Sequence, residues 1–188
     1  MSESPTEHIE HAEHAEHAAH SGDPLLARVS VTIAILAVIA ATVGSFETVE
    51  SGFAITDKNV SVLLQNKATD SWAYFQAQSI KKNLYDIAAD TAEADRKAAY
   101  GVKVRTYEAE AAEARKKAEE LEKERDAKLG DSTAHERRHH VLTAAVTLLH
   151  VAIAVCTIAI IARGRRWPWY SAMTLGAVGA VMALAAFA

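Results

Sequence analysis

The chain has 188 residues, half of them hydrophobic, with 20 Lys and Arg against 24 Asp and Glu for a formal net charge of −4. That near balance leaves no electrostatic case for binding nucleic acid. The single cysteine, Cys156, excludes an intrachain disulfide. The average composition conceals a segregation, because the apolar residues gather in three uncharged stretches and most of the charge lies between the first and second of them.

Residues 1–23 form a His/Glu-rich segment. His8, His11, His14, His17 and His20 recur every third residue, interleaved with Glu7, Glu10, Glu13 and Glu16. Neutral imidazoles bind divalent transition metals such as Zn, Ni or Cu, and His residues three apart are neighbours on a helix. Each step of three turns about 60° backward around an α-helix, so adjacent pairs chelate better than all five together. These five His are the candidate metal ligands. The plainer reading is a low-complexity tail with incidental metal affinity. Gly22 can cap a preceding helix, Asp23 can N-cap the next, and Pro24 suits a first helical position.

Residues 24–46 are expected to be the first transmembrane helix. Val29 to Phe46 carries no ionisable group. A helix of this kind rises about 1.5 Å per residue and can cross roughly 30 Å of hydrocarbon. Residues 1–24 contain no Lys or Arg, which is the wrong flank for a secretion signal, so the stretch reads as an uncleaved anchor.

Residues 47–132 are charged and periodic. Ala73, Ala77, Ile80, Leu84, Ile87, Thr91, Ala94 and Ala98 alternate steps of four and three, the heptad spacing of a coiled-coil seam. Tyr107, Ala111, Ala114, Ala118 and Leu121 make a second seam in a different phase, with Gly101 between the two. Apolar flanks on both sides require this region to leave and return on one side of the membrane. The pattern predicts an antiparallel helical hairpin outside the membrane, with its tip near Gly101 and arms of roughly 60 Å each.

Gly130 is then expected to end the return arm. Thr133 and Glu136 fit a Thr-x-x-Glu capping box that starts a fresh helix, the second span, over residues 133–162. The run His135-Glu136-Arg137-Arg138-His139 matches the zinc peptidase pattern H-E-x-x-H, in which two His one turn apart hold a metal and Glu is the general base. The two central Arg and the absence of an obvious third ligand speak against that chemistry. His150 lies mid-span, where an ionisable residue is either a proton or ion relay or a neutral interhelical hydrogen-bonding group. With no Asp or Glu in any of the three stretches, the structural role is favoured. Thr143, Thr147, His150, Ala154 and Thr157 share one face, expected to meet another helix.

Residues 163–188 hold a basic turn and the third span. Arg163, Arg165 and Arg166 favour that turn on the cytoplasmic side, with the hairpin then external. Trp167, Trp169 and Tyr170 form an interfacial aromatic belt, and Pro168 opens the helix. Ala172, Gly176 and Ala180, Ala37 and Ala41, and Ala40 and Gly44 make small-xxx-small rows that suit close helix packing within or between subunits.

The stretch Trp72-Ala-Tyr-Phe-Gln-Ala-Gln-Ser-Ile-Lys-Lys-Asn-Leu-Tyr85, followed by a charged helix and two apolar spans, resembles a bacterial membrane family known as domain of unknown function 4337. The likeness covers the chain from about Pro24 onward and leaves the His-rich head outside. It implies the architecture and a bacterial membrane location, and it supplies no catalytic residues. The expectation is therefore an all-α, multi-pass protein of the bacterial inner (cytoplasmic) membrane. It would have three transmembrane helices and a long hairpin, would meet membrane lipid, and would be a structural or scaffolding homo-oligomer and no enzyme. A metal-handling or ion-conducting oligomer is the alternative from a different class, and a membrane zinc peptidase is a third.

Overall fold

The structure, a computed structural model, describes residues 24–162 and 165–188. The His repeat at 8, 11, 14, 17 and 20 lies outside the described residues, as do Arg163 and Gly164. Three helices make up the described chain: α1 over Pro24–Asp90, α2 over Ala94–Ile161 and α3 over Trp167–Ala185. There is no strand among the described residues. All three are long and apolar enough over part of their length to cross a membrane. α1 and α2, at 67 and 68 residues, far exceed the ~20 residues that a bilayer core accommodates.

Two compact units divide the fold. The first contains residues 24–53, 134–162 and 165–188, and the second is Ala54–Thr133. In the first unit, Val29, Ile33, Leu36, Ala40 and Val43 of α1 pack with Leu142, Ala145, Leu149, Ala152 and Cys156 of α2. α3 adds Ala172 and Ala183 to the same core. Steps of three and four along α1 and α2 produce this single inward stripe, because 3.6 residues per turn returns a side chain to one face at that spacing. Pro168 stands in the first turn of α3, as expected, where its missing N–H leaves no helical bond unmade. In the row of Ala172, Gly176 and Ala180, Ala172 and Gly176 are buried within the subunit and Ala180 is half-buried, with Gly176 against Leu36 of α1; Gly179, outside that row, lies against Ala145 and Leu149 of α2.

The face carrying Thr143, Thr147, His150, Ala154 and Thr157 meets α1 at Thr143, which donates to Glu47 Oε1, but it is not the main packing face. It is exposed or half-exposed, while Leu142, Ala145, Leu149 and Cys156 face the core. Thr147 and Thr157 donate their hydroxyl hydrogens back to Thr143 O and Ala154 O, so their own helix satisfies them.

The second unit is an antiparallel pair of helical arms. Trp72 Nε1 donates to Glu122 Oε1 at 3.0 Å, the Tyr85 ring stacks on Tyr107, and Lys128 Nζ donates to Asp57 Oδ1 at 3.1 Å. Ser132 Oγ reaches Ala54 O at 2.8 Å, and Arg125 donates to Gln65. As numbers rise on one arm they fall on the other. The Asp57 hydrogen bond, then that of Asp131, holds the Lys128 pKa above its usual value. A raised lysine pKa is a stabilising contribution that is complete at neutral pH and lost only as pH rises through the raised value.

Two expectations are corrected here. The turn between the arms is at residues 91–93 and not at Gly101, which lies inside α2. Lys97 N bonds Glu93 O to start α2, and Asp95 supplies a negative charge in its first turn, which suits the helix dipole. Gly130 does not end a helix either. α2 passes through 130–136 unbroken, and Thr133 Oγ1 donates back to Leu129 O instead of capping a new helix. Both glycines are simply helix-interior residues, and a Cβ added at either meets nothing within 4 Å. Gly101→Ala should therefore raise stability by up to ~1 kcal/mol, the helix-propensity difference. A thermal melt of the purified protein checks this, and a lowered midpoint would speak for a turn at 101.

The seam from Tyr107 to Leu121 faces inward, with Ala111, Ala114 and Ala118 buried. The seam from Ala73 to Ala98 does not. On that arm Ser61, Leu64, Ala68 and Gln78 are buried, with Phe75, Lys82 and Tyr85 partly covered. Ile80, Leu84 and Ile87 stay 68%, 64% and 68% exposed. The cross-arm pairs of Asp57, Gln65, Trp72 and Tyr85 set the rotation of the arm, and that rotation turns the aliphatic stripe outward.

Candidate functional site

The first unit holds a polar cluster next to its apolar core. After Phe46, α1 continues in the same inward register, so Glu47 and Glu50 follow Ala40 and Val43 on the packed face. Glu50 is 7% exposed. Four-residue spacing on α2 puts His135 and His139 on one face opposite them.

His135 Nδ1 lies 2.6 Å from Glu50 Oε2. An ionised carboxylate can only accept, so the Nδ1 nitrogen carries the hydrogen. The Arg138 guanidinium lies with Nη1 3.9 Å from Glu50 Oε1, and the Phe53 ring lies against the His135 imidazole with centroids 5.3 Å apart. One turn away, His139 Nδ1 is 3.4 Å from Glu47 Oε1, and Thr143 donates to the same oxygen at 2.8 Å. The two His thus belong to two different carboxylates, each with a further partner beside it.

In this geometry the residues of the His135-Glu136-x-x-His139 run do not converge on one point. Glu136 is exposed and faces His140 at 4.0 Å along its own helix, away from a shared metal position. Among the described residues no three His, Cys, Asp or Glu side chains converge as a metal site. The cluster neutralises charge at the end of an apolar helix pair. Each carboxylate has a further partner, the Arg138 charge near Glu50 and the Thr143 hydroxyl hydrogen bond to Glu47. His150 is half-buried on α2 in the same unit.

Glu47 and Glu50 escaped the sequence reading, which looked for acids inside the apolar stretches. A signal was present: the two lie three residues apart in phase with Ala40 and Val43. Nothing in the sequence tied them to His135 and His139, whose partners lie 85 and 92 residues away.

Fold and site together define an all-helical protein with three helices able to span a membrane and a polar ion-pair cluster beside their packed apolar core. The family described as Domain of unknown function (DUF4337) matches residues 25–188, and the chain belongs to it. No curated protein and no solved structure matches the chain.

Proposed function

We propose that the protein is a non-enzymatic scaffold of the bacterial cytoplasmic membrane. The apolar parts of α1, α2 and α3 anchor it, and the paired arms of residues 54–133 associate with other copies outside the bilayer. One observation carries this reading: Ile80, Leu84 and Ile87 repeat in coiled-coil steps yet remain about two-thirds exposed. A soluble surface rarely spends three large aliphatic side chains on one exposed stripe. Ala73 and Ala77 extend the stripe without a charge and allow close approach of a second helix. The partner with a matching stripe of the same spacing is a second copy of this chain. Closed cyclic symmetry would cover the stripe on every subunit.

Size measurement in mild detergent tests the proposal. The wild type should run as an oligomer. Leu84→Asp should run smaller, because a charge would be buried between subunits without a partner. The position is exposed within the subunit, so the variant should keep its helical content. A monomeric wild type, or an unchanged oligomer in the variant, would count against self-association.

A further inference from the structure

At the N-terminal end of α1, its first two turns meet the start of α3 across a cleft of about 170 Å³. Pro24, Leu25, Arg28, Arg166, Trp169 and Tyr170 line it. Two guanidinium groups and a tyrosine border the cleft, and among the described residues no carboxylate lines it. Among the described residues neither Arg28 nor Arg166 forms an ion pair. A guanidinium presents its donors in a planar fork that matches phosphate oxygens, so the chemistry selects an oxyanion.

A second feature adjoins it. A shallow, largely open apolar groove of about 370 Å³ runs along α1, lined by Ala27, Arg28, Val31, Thr32 and Trp169. Cleft and groove share Arg28 and Trp169. The wall between them is fixed, because Trp169 Nε1 donates to Thr32 Oγ1 at 3.0 Å and Thr32 Oγ1 donates to Arg28 O at 2.8 Å. Pro168, fully buried, anchors the start of α3 beside it. A cationic cleft opening into an apolar groove matches a molecule with an anionic head and a hydrocarbon tail. A free phosphate would use only the first of the two.

We infer that this site binds an anionic phospholipid, with its phosphate between Arg28 and Arg166 and an acyl chain along Val31. The inference rests on the membrane-spanning reading of α1 and α3. A zwitterionic headgroup would place its own cation among like charges, whereas a net negative lipid gains from both Arg.

Native mass spectrometry of the full-length protein in detergent, with added phosphatidylglycerol, phosphatidylcholine or inorganic phosphate, is the test. Phosphatidylglycerol adducts should exceed phosphatidylcholine adducts on the order of tenfold, given two Arg at the headgroup level. Arg28→Gln with Arg166→Gln should abolish that preference. Val31→Trp, which fills the groove, should weaken the lipid adduct while leaving any phosphate adduct unchanged. Equal occupancy by the two lipids, or indifference to the Arg changes, would overturn the inference. Inorganic phosphate displacing the lipid, with Val31→Trp silent, would also overturn it and identify a free-anion site. Carbonate washing of membranes separates this from a failure of the membrane reading. Release of the wild type into the supernatant removes that reading, whereas retention with unaltered lipid binding in the variants removes the lipid site alone.

Discussion

Gly179→Leu is expected to unfold or severely loosen the helix packing of the first unit. A Cβ at 179 would sit 3.1 Å from the Ala145 carbonyl oxygen, 3.1 Å from Leu149 Cγ and 3.4 Å from Leu148 Cβ. A backbone carbonyl inside a helix cannot turn aside, so α3 must move away from α2. Overpacking of this kind costs about 3 kcal/mol or more for a side chain of leucine size. Apolar helices in a bilayer associate through close contact and not through a hydrophobic driving force, so a membrane setting would leave this loss uncompensated. Gly176→Ala should cost less. Its Cβ meets the far end of the Leu36 side chain, which can change rotamer. Thermal melts in detergent should place Gly179→Leu well below Gly176→Ala and the wild type. A Gly179→Leu protein that melts with the wild type would mean that α3 does not pack on α2 as described.

Removing the buried carboxylate of the cluster should have the next largest effect. Glu50→Leu keeps the volume but deprives His135 of its hydrogen-bond partner and Arg138 of its ion-pair partner. A hydrogen bond to a charged group is worth about 2 kcal/mol, and the loss should be of that order because Glu50 is nearly covered. Glu50→Gln keeps an acceptor oxygen for His135 and should lose roughly half as much. A double-mutant cycle with His135→Ala separates the pair from its surroundings. Independent, additive effects of the two changes would show that the 2.6 Å contact carries no coupling.

The class of this protein was legible in its sequence. An uncharged stretch of span length reads as a membrane-crossing or deeply packed helix, since only a helix satisfies its backbone groups within the one segment in an apolar setting. Pro168 at the start of α3 followed from local chemistry, and so did the inward alanines at 111, 114 and 118. These features depend on residues within a few turns of one another. Three others depended on contacts between distant segments. The turn at 91–93 carries no glycine, while Gly101 and Gly130 look like breaks but sit in helices whose flanks tolerate them. The outward rotation of Ile80, Leu84 and Ile87 is set by Asp57, Gln65, Trp72 and Tyr85 reaching across to the other arm. The pairing of Glu50 with His135 and Glu47 with His139 joins residues more than 80 positions apart. Helical periodicity states which residues share a face. Only the packed partner decides which of two competing faces turns inward, and here polar and aromatic cross-pairs outweighed the more apolar stripe.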